Sequence, residues 1–76
     1  MDTKQHLIGF VTADIVSFIM RDEAIGVEEA MSKFYESEVF TKLDDVETGL
    51  YRESSAYVYD LYKIECQYGH LVQTEL

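Results

Sequence analysis

The run Leu7-Ile8-Gly9-Phe10-Val11-Thr12-Ala13-Asp14-Ile15-Val16-Ser17-Phe18-Ile19-Met20 carries one charged side chain, Asp14, in fourteen residues. Within it Leu7, Ile8, Val11, Ile15, Phe18 and Ile19 recur at the i, i+3, i+4 spacing that gathers side chains on one side of an α-helix. The spacing predicts a helix over residues 3–21, with Asp2 or Thr3 capping its first turn and Phe18, Ile15 and Val11 central in its buried stripe. A membrane-crossing helix needs about 20 apolar residues, so this run reads as a core helix, apolar over more than the usual arc.

Working outward, Arg21-Asp22-Glu23-Ala24-Ile25-Gly26 breaks the apolar period and ends on a glycine suited to a left-handed turn. A second helix is expected over residues 27–36, with Val27, Ala30, Met31, Phe34 and Tyr35 on one face and Glu28 and Glu29 at the positive end of its dipole. Ser37 is suited to cap a short third helix reaching Asp44 and burying Val39, Phe40 and Leu43. Residues 44–55, with a turn at Thr48-Gly49, read as an irregular loop. Ser54 or Ser55 then caps a last helix over residues 55–67, whose shared face would be Val58, Leu61, Ile64 and Tyr68, flanked by Tyr57. Gly69 fits its C-terminal cap, and residues 70–76 read as a frayed tail. Residues 57–64 also alternate as a strand would. A helix is expected there because the only pairing partners for a strand would be Leu50-Tyr51 and Leu71-Val72. The fold class is therefore all-α, a compact bundle of three to four helices with one irregular loop before the last helix, and residues 1–76 form one domain.

A chain of 76 residues has a high ratio of surface to core and calls for a staple or a partner. Its single cysteine, Cys66, excludes an internal disulfide, and His6 and His70 have no cysteine pair beside them at zinc spacing. A partner chain is what remains. The hydrophobic fraction of 47%, with six Tyr, four Phe and no Pro, marks a folded chain of long helices. Fifteen acidic against six basic residues give a net charge of −9, which repels phosphate backbones and anionic membranes, favours a basic partner, and also serves solubility. Residues 1–6 have no basic region leading into a signal-type apolar run, so with the unpaired cysteine a cytoplasmic location is expected.

Catalysis needs a nucleophile, a base and an oxyanion donor within mutual reach, and no spacing here suggests one. Cys66 beside Glu65 reads as an inert thiol. Asp44, Asp45 and Glu47 lack the alternating ligands, central glycine and distant glutamate of a calcium loop, and Ser54-Ser55 has no glycine elbow. No enzyme activity, cofactor or metal is expected. Two surfaces are candidates for contact. Tyr59 and Tyr62, with Cys66 nearby, belong to a tyrosine-rich helix that cannot turn every ring inward; they form either an exposed stripe or a core edge with wet hydroxyls. Gly9, Ala13 and Ser17 recur every four residues on the back of the first helix, where small side chains admit another helix, either the last one of the same chain or that of a second subunit.

Ile8-Gly9-Phe10-Val11, Gly26-Val27-Glu28-Glu29-Ala30, Phe34-Tyr35, Leu50-Tyr51-Arg52-Glu53-Ser54 and Tyr57-Val58-Tyr59-Asp60-Leu61 together resemble a family of short bacterial helical proteins, domains of unknown function of three or four helices. The likeness covers about residues 7–65. Members often carry a histidine where this chain has Tyr51, so a role tied to that histidine does not transfer. Some relatives resemble antitoxin-type partners of neighbouring gene products. The resemblance thus implies a protein-interaction module, antitoxin-like or adaptor, acting as a homodimer or with a basic hetero-partner. The competing expectation is a small-molecule or metal-binding domain, or a minor enzyme, with its site near residues 44–55.

The charge balance makes a direct prediction. Gel-shift titration with DNA or RNA at low salt, where electrostatic binding is strongest, should show no saturable complex at micromolar protein.

Overall fold

The computed structural model describes residues 3–69. They form α1 (Thr3–Glu23), α2 (Val27–Tyr35), α3 (Glu38–Asp44), two 3₁₀ turns at Val46–Thr48 and Leu50–Arg52, and α4 (Ser55–Tyr68). The fold is all-α, with no strand among the described residues, and residues 57–64 are helical. The cap expected from Asp2 and the tail over residues 70–76 lie outside the described residues.

The corner between α1 and α2 differs from the sequence expectation. Gly26 is extended (φ −77°, ψ 169°) and is the residue preceding α2, while the left-handed residue is Ala24 at φ 55°. The chain reverses as soon as α1 ends, so the strained conformation falls on Ala24, although a glycine would adopt it more cheaply. Gly26 instead offers its carbonyl to the Ala30 N–H at 3.0 Å, starting the α2 ladder.

Ser37 caps α3 as its type predicts, its Oγ accepting from the Phe40 N–H at 3.1 Å while its own hydroxyl donates to the Phe34 carbonyl. A second cap comes from far along the chain. Glu65 on α4 accepts from the Glu38 N–H (Oε2, 2.8 Å) and the Val39 N–H (Oε1, 3.1 Å), so one carboxylate satisfies two backbone donors and ties α3 to α4. Residues 44–55 are more ordered than a plain loop. Asp45 caps the first 3₁₀ turn through the Glu47 N–H, Gly49 reverses the chain at φ 70°, and Leu50 drops into the core.

Phe34 is fully buried at the centre, edge-on to Phe40 (centroids 5.4 Å) and to Tyr62 (5.9 Å). Around it pack Ile15 and Ile19 of α1, Val39 and Leu43 of α3, and Val58 of α4, all fully buried. Phe18, expected at the centre, is only partly buried and sits at the edge against Tyr59, centroids 5.1 Å apart.

The buried face of α4 is also corrected. Val58, Tyr59 and Tyr62 face inward, Leu61 is half-buried, and Ile64, Tyr68 and Tyr57 are exposed. Relative to the expected face the helix is turned by roughly one residue, about 100°. Two pairings with α1 hold it there. The Tyr59 hydroxyl donates to Asp22 Oδ2 at 2.6 Å, and the Ser55 hydroxyl donates to Asp14 Oδ2 at 2.6 Å. The large tyrosine rings thus fill the core while the Tyr59 oxygen reaches a carboxylate at its rim.

Truncation of Phe34 to Ala should cost about 3–5 kcal/mol, a large share of the stability of a small domain. Denaturant titration by circular dichroism is expected to show an unfolded or molten chain for Phe34→Ala and a smaller loss for Phe18→Ala.

The tyrosines generate a pH prediction. Burial first, then hydrogen bonding of Tyr59 to Asp22 and of Tyr62 to Cys66, pushes both phenols well above their ordinary 10.0. A phenol that holds its proton more tightly in the fold contributes stability that is complete below pH 10.0 and is lost as pH rises above it. Asp22 behaves oppositely: the hydrogen bond from Tyr59, then that from Arg21, lowers its carboxyl below 3.8, so its contribution is present above that pH and lost as pH falls below it. Thermal midpoints should therefore be level near neutrality and fall above pH 10.0, with phenolate absorbance rising in step with unfolding. Tyr59→Phe should be less stable at neutral pH yet show a smaller alkaline loss.

Candidate functional site

Helix α1 has two flanks beside its core face, and the fold uses them differently. Asp14, Phe18 and Asp22, one helical turn apart, meet α4 through Ser55 and Tyr59. Gly9, Ala13 and Ser17 lie one residue back, roughly 100° around the helix, and α4 does not cover them. All three are exposed, and a Cβ at Gly9 would meet nothing within 4 Å. The last helix, one of the two expected neighbours of this stripe, does not fill it.

What stands over the stripe is an open groove of about 840 Å³. Ile8 and Val16 of α1 form its floor, and Gly9, Ala13, Ser17 and Met20 form one wall. The other wall comes from Val27, Met31 and Tyr35 of α2 and Phe40 of α3, with Gln5 and Thr12 supplying polar atoms on the α1 side. Val27, Met31 and Tyr35 recur every four residues beside the buried pair Ala30 and Phe34, so α2 is apolar over two adjacent rows and can bury only one. Phe10, three residues before Ala13, stands on the outer ridge of α1 with 69% of its surface exposed.

Among the described residues the groove is lined by no charged side chain, in a chain whose net charge is −9. Asp14, the single charge in residues 7–20, is hydrogen-bonded on the α4 flank. The acidic side chains of the described residues therefore lie away from the groove, and what the groove offers is apolar contact and shape.

Of the residues expected to make contact, Gly9, Ala13 and Ser17 line this groove together. Tyr59 and Tyr62 do not join them and form no exposed stripe, with 7% and 3% of their surfaces accessible. Their rings are needed to fill the space between α1, α2 and α4. The exposed tyrosines of α4 are Tyr57 and Tyr68, on the opposite side of that helix. Sequence reasoning assigned Val27 and Tyr35 to the core. The signal available was the width of the apolar arc on α2, nine residues long with five apolar positions wrapped around more than one face.

A smaller depression of about 290 Å³ brings the exposed Cys66 beside Tyr62, Lys33 and Glu36. Glu65 at its edge is occupied as the α3 cap and Lys33 pairs with Glu23 at 2.9 Å. Among the described residues no three His, Cys, Asp or Glu side chains converge as a metal site would require, and no helix is long and apolar enough to cross a membrane. His70 lies outside the described residues, so a meeting of His6 with His70 does too. Comparison with protein-family models, with curated proteins and with solved structures finds no match for the chain.

Proposed function

We propose that this chain is a protein-interaction module and that its docking surface is the groove between α1 and α2. The observation that carries the reading is an uncharged apolar groove, left open along four turns of α1 in an otherwise acidic chain. Soluble proteins rarely leave a continuous apolar strip uncovered without a contact to make. A groove walled by two helices takes an amphipathic helix well, through side chains one turn apart. The acidic remainder of the surface would speed the approach of a basic protein without contributing to the contact in the groove. An antitoxin-like or adaptor role is the form of this reading that the sequence resemblance favours. No catalytic or cofactor role is part of the proposal. The competing site near residues 44–55 has less support, because Asp45 and Thr48 spend their polar atoms on the two 3₁₀ turns and none of these residues lines the groove.

Ala13 tests the reading, since it is exposed at mid-groove and can be changed without opening the core. With the tagged chain expressed in its native cell, a retained protein, whether an untagged copy or a different chain, should be lost on Ala13→Glu while circular dichroism stays unchanged. Equal retention by both proteins would place the function on another surface.

A further inference from the structure

Resting on the reading of the groove as a docking surface, we infer that Glu65, which does not line the groove, is the positioning residue for its α3 wall: it latches the first turn of α3 and through it holds Phe40 in place. Helix α3 has seven residues, too few to stay helical in water by themselves. The N–H groups of its first turn have no carbonyl partner within the helix and must be satisfied from outside it. Ser37, immediately before the helix, accepts from one of them, the Phe40 N–H. The Glu38 and Val39 N–H groups are both taken by the Glu65 carboxylate on α4, in bonds that its charge strengthens. Two of these three donors thus depend on a side chain at least 26 residues along the chain.

The same turn carries Phe40, the contribution of α3 to the groove wall. Its ring lies 4.9 Å from that of Tyr35, another wall residue, and edge-on to Phe34. Val39 and Leu43 are fully buried and keep the inner face of α3 in the core, so loss of the latch frays the first turn without detaching the helix. Phe40 is half-buried, has no such anchor, and follows the backbone of the two residues before it. Glu65 itself is half-buried at the edge of the depression that holds Cys66, Lys33 and Glu36. A change made there, outside the groove, is therefore passed to the groove wall through two hydrogen bonds and one turn of helix.

Nuclear magnetic resonance of the full chain tests the latch without any partner. Glu65→Gln keeps the size of the side chain and one acceptor oxygen, whereas Glu65→Ala removes both acceptors. The Glu38 and Val39 amide protons should move upfield and the Phe40 ring resonances toward their unfolded positions, further in Glu65→Ala than in Glu65→Gln. The Ile15 and Ile19 methyl resonances should stay in place, and Glu65→Gln decides the point if Glu65→Ala does not fold. Phe40 resonances that do not move, or that move only together with those of Ile15 and Ile19, overturn the proposal. Ala13-dependent capture should weaken about tenfold in Glu65→Gln, because a smaller fraction of the chain then holds the competent groove. If Phe40 follows Glu65 but no Ala13-dependent capture exists, the latch stands and the docking reading falls. If capture exists and Phe40 does not follow Glu65, the docking reading stands and the latch falls.

Discussion

Helix α1 must hide an apolar surface that runs most of the way around it, and among the described residues three further α-helices are there to do so. The row through Ile8, Val11, Ile15 and Ile19 is covered completely or nearly so by α2, α3 and α4 meeting at Phe34. Burial of that row supplies the driving force to which every other contact is subordinate. Short helices such as α3, seven residues long, have little stability of their own and exist because they are packed and capped from outside.

Polar contacts then decide how the covering helices are turned. Glu65 reaches across from α4 to the first turn of α3, and Tyr59 and Ser55 reach from α4 to two carboxylates of α1. Together these bonds set the rotation of α4 and exchange an expected aliphatic face for one built on Val58, Tyr59 and Tyr62. The pairs of Arg21 with Asp22, Lys33 with Glu23 and Lys63 with Asp60 are largely exposed and contribute little by comparison.

Covering one flank of α1 leaves the other open. With α4 committed to the Asp14 side, the small-residue side faces a groove that α2 and α3 wall but do not close. Charge and apolar surface are segregated as a result: among the described residues, carboxylates occupy helix ends, turns and outer faces, and none lines the groove. A surface arranged this way favours association by shape.

Several features were legible in residue order because their causes are local. The apolar period of residues 7–20, the capping of α3 by Ser37 and of α4 by Ser54, and the left-handed cap at Gly69 each depend on side chains within a turn or two. The Gly9, Ala13 and Ser17 row was legible as a stripe for the same reason. Tertiary structure alone decided which flank of α1 was covered, which face of α4 turned inward, and that Val27 and Tyr35 would stand at a groove rather than in the core. Those outcomes depend on pairings such as Tyr59 with Asp22 and Glu65 with Glu38, separated by 37 and 27 residues. Periodicity marks which positions of a helix are apolar, but when more than one face is apolar, only the competition of neighbouring helices for the same volume determines which face is buried.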